Sequence, residues 1–248
     1  MIILSILFFV TAILYSSVGF GGGSTYLALL LIWDIPYYIF PIIALLCNII
    51  VVSGNSFNYI RAGNHNFKLI LPFLIGSVPL AFFGGTLKIE KDIFEILLFF
   101  VLSVAGILLL INNKSYENKN LIIKKLNFFI SLVIGSVLGL ISGIVGIGGG
   151  IFLSPILFLL RAEKPKIIVT TASLFILVNS ISGVFGQITK ENIITEISNY
   201  IPLFICVFLG GLLGNYLNLK IFTSRVLAII TALLIVFVSI RMGIKIFL

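Results

Sequence analysis

The stretch VGFGGGSTYLAL, residues 18–29, places three consecutive glycines inside an apolar run that contains no charged side chain. Glycine weakens a helix because it loses more backbone freedom on folding than any other residue. A second stretch, VGIGGGIFLSPIL at residues 145–157, repeats the pattern. One explanation therefore has to account for both places.

The composition indicates a protein that crosses a membrane several times. Of its 248 residues, 60% are hydrophobic and 10% are charged, and the mean hydropathy is +1.27. A soluble domain is about half apolar and about a quarter charged. The first twenty residues lack the basic start and the cleavage site of a secretory signal, so we expect them to be retained. The predicted fold class is an all-α polytopic membrane protein.

The charge and cysteine content argue against other classes. The formal net charge is +8, but the basic residues are scattered between apolar segments and do not form the stripe that a nucleic-acid partner requires. Cys47 and Cys206 lie in apolar segments, where a small buried side chain is expected. We therefore predict no nucleic-acid partner, no metal site and no cofactor.

Two of the apolar segments are too long for a single crossing. Eight segments are bounded by charge: 2–33, 37–60, 69–87, 92–111, 126–160, 167–189, 199–217 and 226–240. Six suit one helix across about 30 Å of hydrocarbon. The other two, 2–33 and 126–160, would form helices of about 48 and 52 Å. These two carry the triple glycines.

The two halves of the chain align with each other, which indicates an internal duplication. At an offset of 127 residues, Gly19, Gly21, Gly22 and Gly23 correspond to Gly146, Gly148, Gly149 and Gly150. At an offset of 130 residues, Pro72, Gly84 and Leu87 correspond to Pro202, Gly214 and Leu217. We therefore predict two transmembrane repeats, 1–115 and 126–248, joined by a cytoplasmic linker at 116–125 and integrated into one domain.

The loop charges distinguish two topologies. If each glycine-containing segment crosses once, the repeats are parallel and the loops carry +6 inside and +3 outside. If each segment forms a hairpin broken at its glycines, the repeats are inverted and the loops carry +9 inside and 0 outside. Positive residues prefer the cytoplasmic side. The charge thus favours an inverted arrangement with five helical pieces in each repeat.

A hairpin broken inside the membrane predicts an anion site. The helix that follows the turn begins with free backbone N–H groups and the positive end of its dipole, to which Ser24 and Thr25 add hydroxyl donors. Non-helical backbone is tolerated at membrane depth only against protein or a watery cavity. The second turn, at 148–150, supplies an equivalent helix start, and the two would form one central site.

The same glycines could instead serve tight helix packing, and this alternative remains open. Gly135, Gly139 and Gly143 form a spaced small-residue face that is most simply explained by packing. Three consecutive glycines differ, because packing needs one glycine in every four residues. A phosphate-binding loop is disfavoured since no lysine follows, and a dinucleotide fingerprint is disfavoured since no strand or acidic partner is found.

Polar residues lie within two matching apolar segments. They are Asn48, Ser53, Asn55 and Asn58 in the second segment and Thr170, Thr171, Ser173, Asn179, Ser180 and Ser182 in the sixth. Such side chains avoid lipid, so they either bond between helices or line a path, and Asn55 and Asn179 are favoured for a path. The predicted substrate-binding residues are Gly21, Gly22, Gly23, Ser24, Thr25, Asn55, Gly148, Gly149, Gly150, Ser173 and Asn179.

The paired VGxGGG turns, each opening an apolar hairpin, and the basic mid-chain linker resemble the sulfite exporter TauE/SafE family of bacterial membrane transporters. The resemblance covers nearly the whole chain. Pro155 follows the second turn, as the family often has it, whereas Ala28 takes that place after the first. The resemblance implies a multi-pass carrier in the bacterial plasma membrane for small sulfur-containing anions such as sulfite, thiosulfate or sulfonates.

The absence of charged residues from the middle of every segment bears on the energetics. A negative cell interior drives anions outward by about 2.3 kcal/mol per charge for each 100 mV. Export therefore needs no coupling ion, and we predict electrogenic or weakly coupled export. Ion-coupled uptake and a non-transporting membrane scaffold are the alternatives, and a homo-oligomer is left open. An enzyme is disfavoured, because no nucleophile with a base and no metal cluster is found.

Overall fold

The computed structural model describes residues 1–111, 123–124, 126–190 and 196–217, together with 233, 236–237, 239–240 and 243–244. This part of the chain is entirely helical and contains no strand. The predicted linker at 116–125, apart from residues 123–124, and most of the eighth predicted segment, 226–240, lie outside the described residues.

Nine α-helices are found within the described ranges. They are α1 (Ile2–Val18), α2 (Gly23–Ile32), α3 (Phe40–Arg61), α4 (Phe67–Thr86), α5 (Lys91–Ile111), α6 (Phe128–Val145), α7 (Gly150–Leu159), α8 (Pro165–Ile188) and α9 (Ile201–Leu217). Five of them, α3, α4, α6, α8 and α9, belong to helical stretches long and apolar enough to cross a membrane. The described residues therefore have the predicted all-α class, with five candidate membrane spans.

Both overlong segments are broken at their glycines. Helix α1 ends at Gly19, whose φ is 85°, and Gly22, with a φ of 84°, precedes α2. Helix α6 ends at Gly146, with a φ of 90°, and Gly149, with a φ of 74°, precedes α7. All four residues are left-handed, a conformation that glycine adopts without the steric cost of a Cβ atom. The glycines thus end one helix and begin the next.

Helix α2 folds back against α1. The rings of Phe8 and Tyr26 have centroids 4.8 Å apart, and the hydroxyls of Tyr15 and Thr25 are hydrogen-bonded at 2.7 Å. In a continuous helix, Phe8 and Tyr26 would be about 27 Å apart along the axis. The first glycine turn therefore reverses the chain.

Helices α4 and α6 pack in parallel through glycine. A Cβ atom on Gly135 would lie 2.7 Å from Phe73 Cα, and one on Gly139 would lie 2.5 Å from Ser77 Cα. The spaced glycine face predicted from the sequence is this contact. The two backbones are so close at this contact that no side chain fits between them.

Helices α1 and α9 pack in the same way at the other side of the protein. A Cβ atom on Gly210 would collide with the carbonyl of Phe9, and one on Gly214 with the carbonyl of Ile13. The residue numbers rise together on both helices. Helices α1 and α9 are therefore also parallel.

The long helices α3 and α8 cross in antiparallel orientation. The hydroxyls of Ser56 and Ser173 are hydrogen-bonded at 3.0 Å, while a Cβ atom on Gly183 would lie 3.0 Å from Cδ1 of Leu45. From one contact to the other, the residue numbers fall along α3 and rise along α8. This crossing lies at the centre of the protein, where most of α3 and α8 is buried.

Helix α8 runs parallel to α4. The Ser182 hydroxyl donates to the carbonyl of Val78 at 2.6 Å, and a Cβ atom on Gly186 would collide with the carbonyl of Phe82. Because α6 and α8 are both parallel to α4, the chain has to reverse between α6 and α8. Helix α7 therefore runs back along α6, as α2 does along α1.

Candidate functional site

The two glycine turns lie against each other. A Cβ atom on Gly23, the first residue of α2, would lie 2.8 Å from the carbonyl oxygen of Ile147 in the second turn. The start of α2 is thus next to the chain that leads into α7. The two glycine turns are therefore in contact, and the convergence of the two helix starts in one binding site stays a prediction.

Asn48 of α3 lies between the two turns. Its side-chain nitrogen Nδ2 donates to the carbonyl oxygen of Ile147 at 3.2 Å. The same atom is 2.7 Å from the Cβ position at Gly23 and 2.8 Å from the Cβ position at Gly148. A Cβ atom on Gly21 would collide with Asn48 Oδ1. This side chain is fully buried and contacts both turns.

Ile176 and Ser180 of α8 complete the packing around the turns. Ile176 Cγ2 is 3.1 Å from the Cβ position at Gly21 and 2.9 Å from that at Gly148, whose φ is 80°. Ser180 Oγ is 3.1 Å from the same position at Gly148. An apolar side chain therefore lies between the two turns, and a solute that reaches both helix starts must displace it.

The start of α2 presents backbone donors. Its first hydrogen bonds run from the N–H groups of Thr25 and Tyr26 to the carbonyl of Gly22, at 2.9 and 3.0 Å. Among the described residues, four earlier N–H groups make no hydrogen bond: those of Gly21, Gly22, Gly23 and Ser24. Free N–H groups at a helix start, at the positive end of the dipole, favour an anion.

The start of α7 repeats this arrangement. The N–H groups of Phe152 and Leu153 donate to the carbonyl of Gly149, both at 3.1 Å. Four preceding N–H groups have no acceptor in the described ranges: those of Gly148, Gly149, Gly150 and Ile151. Gly150 is packed against Ile176, because its Cβ position is 2.5 Å from Cδ1 of that residue. The site thus has two sets of free amides of the same kind.

The hydroxyls predicted at the first helix start have different environments. Thr25 Oγ1 is hydrogen-bonded to the hydroxyl of Tyr15, so it is already used within the fold. Ser24 Oγ is buried and has no hydrogen-bond partner among the described residues. Of the two, Ser24 is therefore the one that is free to bind a ligand.

The three remaining predicted residues make bonds within or between α3 and α8. Asn55 donates to the carbonyl of Val51 at 3.4 Å, and Asn179 donates to the carbonyl of Phe175 at 2.9 Å. Ser173 is bonded to Ser56 across the crossing of the two helices. All three are buried, and their contact with a solute stays a prediction.

The site predicted from the sequence did not include three residues that contact the turns: Asn48, Ile176 and Ser180. Asn48 lies seven residues, two helical turns, before Asn55, so both lie on one face of α3. That spacing was a usable signal. Nothing in the sequence singled out Ile176, because an isoleucine in an apolar segment is indistinguishable from any other.

Several buried polar atoms have no partner in the part of the chain that the structure describes. Around the glycine turns and on α2, α3 and α8 they are Ser24 Oγ, Tyr26 OH, Asn48 Oδ1, Asn179 Oδ1 and Ser180 Oγ. A buried polar atom without a hydrogen bond costs about 1–3 kcal/mol. A bound water or a polar ligand is one way in which such an atom is satisfied.

Among the described residues, the nearest neighbours of the glycines in the two turns carry no charge. Lys190, just beyond α8, donates to Gln187 Oε1 at 2.9 Å, and Gln187 donates to the carbonyl of Gly143 at 2.8 Å. Partial burial, together with the nearby charge of Lys88, lowers the pKa of Lys190 to about 8. No group of three His, Cys, Asp or Glu side chains that could hold a metal ion occurs among the described residues.

Comparisons with known proteins agree on one family. The family model described as "Sulfite exporter TauE/SafE" matches residues 4–242. The chain is 25% identical over 236 residues to "Probable membrane transporter protein y4hK" of Sinorhizobium fredii (strain NBRC 101917 / NGR234), with 94% of each chain covered. It is 22% identical over 262 residues to "Probable membrane transporter protein YunE" of Bacillus subtilis (strain 168), again with 94% of each covered. No solved structure matches.

Proposed function

The chain belongs to the sulfite exporter TauE/SafE family of membrane transporters, and from this membership we propose that it carries a small sulfur-containing anion such as sulfite, thiosulfate or a sulfonate. The proposed site is the pair of helix starts at α2 and α7, in the bacterial plasma membrane. The observation that carries the proposal is the contact between the two glycine turns, where Gly23 meets the carbonyl of Ile147. Two sets of free amides suit an anion and need no cationic side chain.

The depth of the second turn supports a site near the middle of the bilayer. The Cβ position at Gly149, just before α7, is 3.5 Å from the carbonyl oxygen of Leu138. Leu138 lies ten residues after Phe128, the first residue of α6, which corresponds to about 15 Å along the helix axis. This is half of the hydrocarbon thickness of about 30 Å.

Helix contacts support inverted repeats as the framework of the transporter. The approach of Gly84 to the carbonyl of Leu140 has a counterpart in the approach of Gly214 to the carbonyl of Ile13. The two pairs correspond under the offsets of 130 and 127 residues found in the sequence. Each repeat therefore packs its fourth helix on the first helix of the other, as a pseudo-twofold relation requires.

Loop contacts support the same topology. Tyr38, before α3, donates to Glu196 Oε2 at 2.7 Å. On the opposite face, Asn66, between α3 and α4, donates to Glu163 Oε1 at 3.1 Å. With one crossing for each glycine-containing segment, the members of each pair would lie on opposite sides of the membrane. Two hairpins place them on the same side.

Export is the proposed direction. In the described helices, charged side chains lie within the terminal turns or, as Glu95 does, in the second turn, where Lys91 is 4.0 Å from its carboxylate. The usual carboxylate for proton or sodium coupling is not found there. A negative cell interior then drives an anion outward without a coupling ion.

Substrate counterflow tests the proposed function. Proteoliposomes loaded with unlabelled sulfite are expected to accumulate radiolabelled sulfite transiently, because a carrier exchanges solute across the membrane. Thiosulfate and ethanesulfonate are tested as alternative solutes in the same way. Liposomes without protein are the control. A scaffold would give no protein-dependent exchange with any sulfur anion, and a sodium-coupled importer would exchange only when sodium is present.

Cysteine labelling in intact cells tests the topology. A membrane-impermeant maleimide is expected to label the exposed position Asn199→Cys from outside and to leave Lys164→Cys unlabelled until the cells are opened. Gly63→Cys, in the α3–α4 loop, should behave as Lys164→Cys does, and the unsubstituted protein controls for Cys47 and Cys206. With single crossings for the two glycine-containing segments, the labelling of Asn199→Cys and Lys164→Cys would be reversed.

A further inference from the structure

The carboxamide of Asn48 has one bonded end and one free end. Its Nδ2 donates to the carbonyl oxygen of Ile147 at 3.2 Å, while its Oδ1 has no partner among the described residues. The side chain is 0% exposed, so bulk water does not satisfy the oxygen. Oδ1 lies against Gly21, at the first glycine turn.

The orientation of this carboxamide follows from its partner. The two ends of an Asn side chain are distinguished by the hydrogen bonds they make. A backbone carbonyl such as that of Ile147 only accepts, so the end that faces it must be the NH₂ group. The end that faces Gly21 is therefore the oxygen, which can accept a hydrogen bond but cannot donate one.

Asn179 presents the same arrangement on α8. Its Nδ2 donates to the carbonyl of Phe175 at 2.9 Å, and its Oδ1 is buried without a partner in the described ranges. The next residue, Ser180, has its Oγ 3.1 Å from the Cβ position at Gly148 in the second turn. The two helices that contact the turns, α3 and α8, therefore each carry a buried Asn with a free acceptor oxygen, and the one shown against a turn is that of Asn48.

Free acceptors next to an anion site place a requirement on the anion. A fully deprotonated oxyanion offers only acceptor oxygens, which would face the oxygens of Asn48 and Asn179 unfavourably. The free N–H groups at the starts of α2 and α7 can bind its charged group, but they leave the two carboxamide oxygens unsatisfied. A solute with a donor of its own satisfies both kinds of group.

We propose that the solute is a monovalent sulfur oxyanion or sulfonate that carries its own hydrogen-bond donor, a hydroxyl group. Its charged oxygens bind the free amides of the glycine turns, and its donor binds Oδ1 of Asn48 or Asn179. The inference rests on the proposed function. It narrows the substrate class to hydrogen sulfite and to hydroxysulfonates, and assigns Asn48 as a specificity-determining residue.

Competition between two sulfonates of similar size tests the inference. Counterflow of radiolabelled sulfite is measured in the presence of 2-hydroxyethanesulfonate or of 1-propanesulfonate, in which a methyl group replaces the hydroxyl. We expect the hydroxysulfonate to inhibit at a concentration about tenfold lower, because a site built to bind a polar group rejects the apolar analogue. Equal inhibition by the two sulfonates would overturn the inference while leaving the proposed function intact.

Variants assign the preference to the carboxamides. In Asn48→Leu and in Asn179→Leu, the ratio of the two inhibitory concentrations is expected to fall toward one. The ratio is measured within each variant, so it does not depend on the amount of folded protein. Asn58→Leu is the matched control, since Asn58 lies on α3 as well but is exposed and bonded to Asn215.

Three outcomes decide the inference. An unchanged ratio in folded Asn48→Leu would overturn it, and so would an equal fall in Asn58→Leu. If Asn48→Leu does not fold, Asn179→Leu and the wild-type ratio still decide. Absence of flux with every anion would instead overturn the proposed function, and this inference with it.

Discussion

Replacing Gly149 with leucine is expected to lower anion flux at low solute concentration about a hundredfold, while the protein still inserts into the membrane and stays folded. Gly149 has a φ of 74° and directly precedes α7. Residues other than glycine rarely adopt this backbone conformation, and the strain costs about 1–3 kcal/mol. The turn would relax by shifting the free amides of α7 away from those of α2.

The contacts of Gly149 explain why the effect should stay local. Its Cβ position is 2.8 Å from Cε1 of Phe175 and 3.5 Å from the carbonyl oxygen of Leu138. The Phe175 ring can rotate away, whereas the positive φ cannot be relieved without moving the turn. We therefore expect the loss to concentrate in transport and to spare the helix packing.

Gly63→Leu is the matched control for this experiment. Gly63 has a φ of 72° and lies in the loop between α3 and α4, and a Cβ atom there would meet nothing within 4 Å. It incurs the same backbone strain without disturbing either glycine turn. Counterflow and thermal unfolding are measured for both variants. Full flux in Gly149→Leu would refute the site, and equal loss in Gly63→Leu would show that strain alone is the cause.

Replacing Gly139 with leucine is expected to have a different result, a large loss of stability. The Cβ position at Gly139 is 2.5 Å from Ser77 Cα and still nearer to the Ser77 carbonyl. Both are backbone atoms, so the clash cannot be relieved by rotating a side chain. Overpacking costs about 1–3 kcal/mol, and more where the backbone has to move. Helices α4 and α6 would have to separate along their length.

The stability of detergent-purified protein measures this effect. We expect Gly139→Leu to unfold at a temperature several degrees lower, or to elute as an aggregate in size-exclusion chromatography. Gly211→Ala on α9 is the control, because its Cβ atom would meet Val51 only at ordinary contact distances of 3.8 and 4.0 Å. If Gly139→Leu unfolded at the same temperature as the unsubstituted protein, α4 and α6 would be less tightly packed than the structure indicates.

The sequence predicted features that depend on local backbone chemistry. Consecutive glycines at 21–23 and 148–150 have few uses inside an apolar segment, so a break in the helix was predictable at both. The spacing of Gly135, Gly139 and Gly143 predicted close packing, and α4 is the helix that meets them. In each case a chemical property of glycine limits the alternatives.

The register between distant helices could not be predicted in this way. Periodicity places Asn48 and Asn55 on one face of α3. It does not predict which of them lies level with the glycine turns. The crossing of α3 and α8 places Asn48 between the turns. It also places Ser173, which was predicted to bind the solute, in a hydrogen bond with Ser56. Similarly, the hydroxyl of Thr25 was expected to face a solute, and Tyr15 binds it. Such pairings depend on how whole helices slide past one another.

Two polar links between the first and second halves of the chain bear on the direction of flow. Tyr38 is hydrogen-bonded to Glu196, and Asn66 is hydrogen-bonded to Glu163, in the same conformation. Each link is a single hydrogen bond from a neutral donor to one carboxylate. We expect neither link to act as a one-way valve, so the concentration difference and the voltage across the membrane would decide which way the solute leaves.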